Sequence, residues 1–259
     1  MSFFKKMAAS VGIGSATVDT VLDYSQYRPG DTITGTVYVR GGNVEQTIDD
    51  IDLYVMSRYI MEKDDKKIYQ TSPIASHRVV NGFIIFPKEV KEFPFAFPLP
   101  LDTPVTLGSV AIWIKTDIDI KNGVDAGDND RIQVLPHPWM EKVLKAVQQV
   151  GFTLREADCE YAPFFRRRLP FVQEFEFSPS SRDYRGKLDE VEVVCHVEEN
   201  GIEVALEIDR KARGVLGWLE ETYSMDERLV RIYLNKTELN QDVNVLTQKF
   251  RAIINQHAR

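Results

Sequence analysis

Apolar and polar residues alternate with a period of two along much of the chain, the pattern of β-strands that bury one face. In residues 32–39, for example, Ile33, Val37 and Val39 fall on one face. The same alternation returns in five later runs, at 48–58, 79–86, 90–97, 110–115 and 132–135. Short alternating runs with turn residues such as Pro29-Gly30 between them predict a β-sandwich in the first half of the chain.

Three aromatic residues at period two, Phe93, Phe95 and Phe97, share one face of the strand predicted at 90–97. Proline cannot donate to a sheet ladder, so Pro94 and Pro98 predict that this strand lies at a sheet edge. A second sheet is needed to bury the three rings. The edge itself is a candidate for binding a partner by strand addition, with these phenylalanines as contact residues.

Strands also dominate the second half, after a break at Pro136-His137-Pro138 that predicts a domain boundary. Residues 139–150 have helical spacing and end at Gly151, so a linker helix is expected between the two halves. Strands are predicted at 152–161, 171–177, 188–197, 202–208 and 229–234. Asn200-Gly201 predicts a tight hairpin between two of them. A second, smaller sandwich is the expected result.

Helical spacing is found in three further places. Residues 2–11 predict a short amphipathic helix, and residues 215–223 a second one. The last, at about 237–256, carries an apolar stripe of Val243, Leu246, Phe250 and Ile253. Two interpretations of that stripe stay open: packing against its own domain, or binding a partner or a second copy in a weak homodimer.

The composition narrows the classes of partner. The chain has 259 residues, 43% of them apolar and 27% charged, with a net charge of −7. An acidic balance argues against nucleic acid, whose phosphates need a basic surface. Lys5 and Lys6 would attract anionic lipid only weakly, so membrane contact is expected to be absent or peripheral. Two cysteines without CxxC spacing and no long apolar run predict a cytoplasmic protein.

One basic run, Arg166, Arg167 and Arg168, interrupts this acidic chain. A solvated loop is one interpretation of it. A docking patch for an acidic partner or a phosphate is the other.

An acidic stretch at 117–130 has the oxygen ligands that calcium prefers. Its candidate ligands are Asp117, Asp119, Asp125, Asp128 and Asp130. The stretch fails the EF-hand pattern, because Lys121 stands at the fifth position and no glutamate stands at the twelfth. A solvated loop and a weak divalent-cation site are both compatible with the residues.

Enzymatic motifs are missing from the sequence. The four histidines, His77, His137, His196 and His257, fall in no HExxH or HxH frame, and no GxSxG, Walker or GxGxxG motif is present. We therefore expect no catalytic residues and no cofactor.

Several motifs resemble those of known proteins. Residues 27–37, with Tyr27, Pro29-Gly30 and Gly35, resemble the opening of arrestin-type domains, and residues 93–100 and 113–119 resemble two of their later strands. Residues 1–6, 117–130 and 169–177 resemble the bacterial sporulation-control proteins of the SpoOM family. The resemblance implies an arrestin-like fold and a regulatory role early in sporulation, upstream of the master regulator, and it implies no catalytic residues. It also allows one of the aspartates at 117–130 to pair with an arginine, as in the arrestin polar core.

The resulting expectation is a mainly β protein with two arrestin-like, immunoglobulin-like sandwiches in tandem. Residues 1–135 would hold the first sandwich, 136–235 the linker helix and the smaller sandwich, and 236–259 the C-terminal helix. The expected function is that of a non-catalytic regulatory scaffold that binds other proteins. The alternative is a module that responds to calcium or a small ligand through residues 117–130.

Overall fold

The computed structural model describes residues 14–63, 66–121, 123–209 and 229–258. The helices predicted at 2–11 and 215–223 lie outside these residues. The described chain is mainly β, as predicted from the alternation, with a few helices. It divides into two compact units. The first comprises the described residues up to Ser57, Thr71–Thr103 and Ala111–Leu135, and the second comprises Arg58–Gln70, Pro104–Val110 and the residues from Pro136 onward.

The first unit is built from strands in two layers. The strands are β1 (Thr17–Leu22), β2 (Gln26–Tyr27), β3 (Thr32–Arg40), β4 (Gln46–Lys63), β5 (Lys66–Ile85), β6 (Val90–Pro98), β7 (Ile112–Ile120) and β8 (Ala126–Val134), of which β4 and β5 each contribute part of their length. One sheet has the order β1-β3-β6, and the other has the order β4-β7-β8-β2 with β5 paired to β4. A buried hydrogen bond of 2.6 Å joins the hydroxyls of Thr20 and Thr116 across the layers.

The predicted alternation accounts for the core of this unit. Ile33, Val37 and Val39 of β3 are fully buried, and so are Ile51 and Leu53 of β4. The neighbouring polar positions on these strands keep more solvent contact. Burying apolar area of this kind stabilises a fold by about 25 cal/mol per Å². The period of two therefore predicts both the strands and the faces that they bury.

Strand β6 lies at the edge of its sheet, as the prolines predict. Phe95 and Phe97 are 7% and 5% exposed, and Phe93 is partly buried against Phe83. The face-sharing prediction is confirmed. The rings of Phe95 and Phe97 pack into the core, and a role of the three phenylalanines in binding a partner stays a prediction.

The free edge of β6 is also poorly suited to strand addition. The amide of Leu99 donates to the carbonyl of Asp31 at 2.8 Å. The backbone N–H and C=O groups of odd-numbered residues in β6 therefore point toward β3, and those of even-numbered residues point toward the free edge. Two outward positions are Pro94 and Pro98, which have no N–H to offer. Ala96 stands alone between them as a donor. Prolines on an edge strand protect the sheet from pairing with other chains.

Replacing both prolines should therefore expose the edge. We expect a Pro94→Thr, Pro98→Thr double variant to self-associate as its concentration rises, because two outward N–H groups are restored. Light scattering after size-exclusion chromatography measures the mass. The exposed turn residue Pro87, replaced by Thr, serves as the control. An unchanged mass for the double variant would contradict this role of the prolines.

The second unit contains a single sheet among its described residues. Its strands are β9 (Phe152–Tyr161), β10 (Phe171–Pro179), β11 (Glu190–Glu198), β12 (Gly201–Asp209) and β13 (Leu229–Asn235), each antiparallel to the next. The outer part of β4 adds a parallel pairing between Ile60 and Glu160. The predicted hairpin between β11 and β12 is present, but its two turn residues are Glu199 and Asn200.

Helices cover the apolar face of this sheet, where a second sheet was predicted. The helices are α1 (Pro138–Val150), α2 (Lys236–Leu239) and α3 (Val243–His257), with a 3₁₀ helix at Pro163–Phe165. Helix α1 packs against β9, β11, β12 and α3. Both solutions bury an apolar sheet face, and strand alternation alone does not distinguish them. None of the described helices is both long and apolar enough to cross a bilayer.

The C-terminal helix is interrupted. The predicted helix at 237–256 is in fact α2 followed by α3, because Asn235 caps the first and Asp242 caps the second. In α3, Leu246 and Phe250 are 1% and 0% exposed, whereas Val243 and Ile253 are partly buried. The stripe packs on α1 within the same unit. Leu246 and Phe250 are therefore used for packing within the unit, and the homodimer interpretation stays a prediction for the partly buried Val243 and Ile253.

Candidate functional site

The second sheet carries carboxylates on the face opposite its apolar one. Glu156 of β9 stands directly opposite Glu176 of β10, which stands opposite Glu192 of β11, which stands opposite Glu207 of β12. We call these four side chains the glutamate row. Directly opposed residues on neighbouring strands are about 5 Å apart at Cβ, and like charges there are destabilising. Such an arrangement needs a compensating proton or cation.

More acids flank the row on the same face. Among the further carboxylates that strand alternation and register place there, five are buried: Asp158, Glu160, Glu174, Glu190 and Asp209. All five are less than 9% exposed. Within the row, Glu156 is exposed and Glu176 is partly buried, whereas Glu192 is 2% exposed. The face is therefore open to solvent at the β9 end and closed at β11.

The outer part of the acidic face has cationic and hydroxyl partners. Arg155 forms an ion pair with Glu176 and lies 3.6 Å from Glu190, and the Ser109 hydroxyl donates to Asp158. These contacts raise the pKa of Arg155, chiefly through its hydrogen bond to Glu176. The carboxylates near the solvent-facing end are thus partly compensated.

The inner part is different. Among the described residues, no N–H or O–H donor reaches Glu174 Oε2 or either carboxyl oxygen of Glu192. The two carboxyl groups interact electrostatically, and a proton on Glu192 relieves the repulsion between them. Burial, followed by the charge of Glu174, raises the pKa of Glu192 to about 12. Burial likewise holds the pKa of Glu174 well above its ordinary value. We call these two residues the glutamate pair.

Two further carboxyl groups on this face share the trend. A hydrogen bond to Asp158, followed by burial, raises the pKa of Glu156. Burial raises the pKa of Glu160, against the opposing charge of Lys67. The whole face thus favours bound protons or an added positive charge.

One end of the same face is apolar. Val172, Val194 and Ala205 lie beside the carboxylates on β10, β11 and β12, and they pack with Ala162 and Phe165. The partly buried side chains of Phe164 and Leu229 pack against this apolar cluster.

The predicted basic run follows Phe165. Arg166 is exposed and adopts the left-handed conformation, with φ of 51°, which ends the 3₁₀ helix. Arg167 forms an ion pair of 2.6 Å with Glu203, whereas Arg168 is exposed. Arg167 is thus engaged within the unit, and the side chains of Arg166 and Arg168 are exposed to solvent.

A loop was predicted at 117–130, but most of these residues belong to strands β7 and β8, which pair as an antiparallel hairpin. Asp117 pairs with Lys115 at 2.6 Å, Asp128 accepts from the Thr20 amide, and Asp125 accepts from the Ile120 amide. Asp119 is exposed on β7, and Asp130 lies on β8. In the described part of the chain, no three His, Cys, Asp or Glu side chains are placed to hold one metal ion. The calcium alternative therefore loses its geometric basis.

The acidic face was missed at the level of sequence. The alternation of residues 202–208 with Glu203 and Glu207 favours solvent-exposed glutamates on β12, but Glu207 is only 9% exposed. A usable signal was present, since four successive strands each carry acids at period two. Only the cross-strand register aligns them into one row.

The geometry defines a class of protein before any comparison. A β-sandwich unit is combined with a sheet-and-helix unit whose notable feature is a proton-holding acidic face, with no metal cluster among the described residues. These features define the class as a mainly β protein with two structural units and an acidic sheet face.

Comparison with known proteins identifies the family. The model of the SpoOM protein family matches residues 4–212, and the chain belongs to that family. The sporulation-control protein spo0M of Bacillus subtilis (strain 168) is 51% identical over 258 residues, covering all of both chains. The crystal structure of Spo0M from Bacillus subtilis superposes with a TM-score of 0.90 at 49% identity, covering 94% of this chain and 99% of that one.

Proposed function

We propose that this protein regulates sporulation in the cytoplasm by binding other proteins, without catalysing a reaction. The observation that carries the proposal is its 51% identity, from end to end, to a protein named for sporulation control. Similarity over the full length of both chains supports a shared role for the whole molecule rather than for one module.

The character of the titratable groups supports binding rather than turnover. Catalysis by acids and bases needs a nucleophile or substrate site beside groups whose pKa lies near the working pH. The glutamate pair has raised pKa values, but among the described residues no histidine or hydroxyl group hydrogen-bonds to Glu174 Oε2 or to either carboxyl oxygen of Glu192. Its chemistry is that of holding a proton or a cation.

Two surfaces are suited to contact with a partner. The solvent-facing end of the acidic face carries the exposed Glu156 and the partly buried Glu176. The loop after the 3₁₀ helix presents Arg166 and Arg168. The two surfaces are opposite in charge, so they favour different partners or different parts of one partner.

Complementation tests the proposal. A Bacillus subtilis strain that lacks its own spo0M should recover heat-resistant spores when this protein is produced in it. Spore counts after heating are the measurement, and the strain's own gene is the positive control. Spore counts that stay at the level of the deletion strain, while immunoblots detect the protein, would refute a shared role.

A further inference from the structure

The glutamate pair is an unusual feature because its burial has no compensating donor. A buried carboxyl oxygen that accepts no hydrogen bond destabilises the fold, and the cost is larger when the group is charged. Glu174 and Glu192 are 3% and 2% exposed, and three of their four carboxyl oxygens receive no donor from the described residues. In the absence of another cation, a shared proton is the least costly way to keep them buried.

The pair is nevertheless close to solvent. Glu192 stands directly opposite Glu176, and Glu176 stands directly opposite the exposed Glu156. At about 4.8 Å between strands, the pair is about two strand spacings from the open end of the face. Long basic side chains can keep their backbone at a surface and extend their charged end over such a distance.

Arg155 demonstrates this mode of access within the molecule. Its side chain is 52% exposed, yet its guanidinium lies 3.6 Å from the carboxylate of Glu190, whose side chain is 4% exposed. A basic side chain that starts in solvent therefore reaches a buried carboxylate on this face. No described residue supplies an equivalent donor to the oxygens of the glutamate pair named above.

We propose that the glutamate pair is a binding site for a lysine or arginine side chain from a basic segment of a partner protein, entering over Glu156 and Glu176. The assignment rests on the proposed function and specifies the chemistry of the partner. Charge-assisted hydrogen bonds from a cation would replace the shared proton and satisfy the oxygens that now lack donors.

The chemistry of the face favours a peptide over a metal ion. The carboxylates are spread along a row, and no described group of three could hold one metal ion. The apolar cluster that contains Val172, Val194 and Ala205 lies on the same face. A row of acids beside apolar side chains matches a segment that carries both lysines and apolar residues.

Binding at this site should release a proton, because the incoming cation takes its place. Most charged groups on the described strands that face or border the pair are acidic, and they add to the demand for positive charge. The acidic ones are Glu156, Asp158 and Glu160 of β9, Glu176 of β10, Glu190 of β11, and Glu207 and Asp209 of β12. The basic ones are Arg155 of β9, Arg231 of β13 and Lys67 of β5.

The test uses the full chain and a labelled peptide of lysine and leucine, with a peptide of glutamate and leucine as the probe control. Fluorescence anisotropy at fixed salt gives the affinity, and calorimetry in two buffers of different ionisation enthalpy counts the protons. We expect the basic peptide to bind with release of a proton. A Glu174→Gln, Glu192→Gln double variant should bind about tenfold more weakly and release none.

A matched variant separates this site from general attraction to an acidic protein. Glu45 and Glu92 are exposed residues of the first unit, and their replacement by Gln removes at least as much negative charge as the change at the protonated glutamate pair does. Equal weakening in both double variants, or binding without proton release, would overturn the inference. If the Glu174→Gln, Glu192→Gln variant does not fold, the single variant Glu156→Gln replaces it. Glu156→Gln should then weaken binding of the basic peptide more than the control Glu92→Gln does. Failure here together with successful complementation would remove this site and leave the proposed function in place.

Discussion

A Glu192→Gln variant is expected to be more stable than the wild-type protein at neutral and alkaline pH, and about equally stable near pH 4.5. Burial raises the pKa of Glu192 to about 12 in the folded chain. An unfolded glutamate has a pKa of about 4.3. Between these values the folded state holds a proton that the unfolded state has released, so the free energy of unfolding falls as pH rises.

The expected size is large. For each proton that only the folded state holds, the free energy of unfolding falls by up to about 1.4 kcal/mol with every pH unit above the pKa of the unfolded state. Glutamine imitates the protonated acid, because its amide is neutral, offers an N–H donor and needs no bound proton. Thermal melts from pH 4.5 to pH 9 should therefore show a flatter pH dependence for the variant. An exposed Glu45→Gln variant is the control, and a slope equal to that of the wild-type protein in Glu192→Gln would contradict a protonated pair.

Truncation of Phe250 should be the most destabilising single change in the C-terminal helix. Its ring is fully buried where α3 packs on α1. Phe→Ala in a core typically costs about 3–5 kcal/mol, through lost burial and the cavity that remains. Chemical denaturation of Phe250→Ala should show a loss in that range, while the molecular mass of the native protein stays unchanged.

Val245 on the same helix provides the comparison. It is 49% exposed, so Val245→Ala should change the stability by no more than about 0.5 kcal/mol. If Phe250→Ala instead kept its stability and changed the mass of the native protein, the stripe would serve association between copies. That outcome would support the interpretation that the stripe binds a second copy of the chain.

Hydrogen bonds between the helices explain why the stripe serves its own unit. Thr247 of α3 donates to the side chain of Gln149 on α1 at 2.8 Å, and Lys142 of α1 donates to the carbonyl of Leu239 at 2.7 Å. These contacts join residues almost a hundred positions apart. The periodicity of α3 predicts an apolar stripe, but it contains no information on which surface covers the stripe.

Local patterns predicted most of the elements. Period-two alternation in residues 32–39 and 48–58 predicted strands and the faces that Ile33 and Leu53 bury, because a pleated strand sends successive side chains to opposite sides. Prolines predicted the edge position of β6 for an equally local reason. The aspartates at 117–130 predicted a loop with a possible metal site. The chain instead folds into a hairpin there, and this separates side chains that are close in the sequence.

The sequence by itself determined the mainly β class, the period of the strands and the resemblance to the SpoOM family. The tertiary structure decided that helices rather than a second sheet cover the apolar face of the second unit, and that carboxylates from four strands form one row with a buried pair at its inner end. The physical reason is that strand periodicity is set by neighbours in the chain, whereas register and burial depend on residues far apart in sequence.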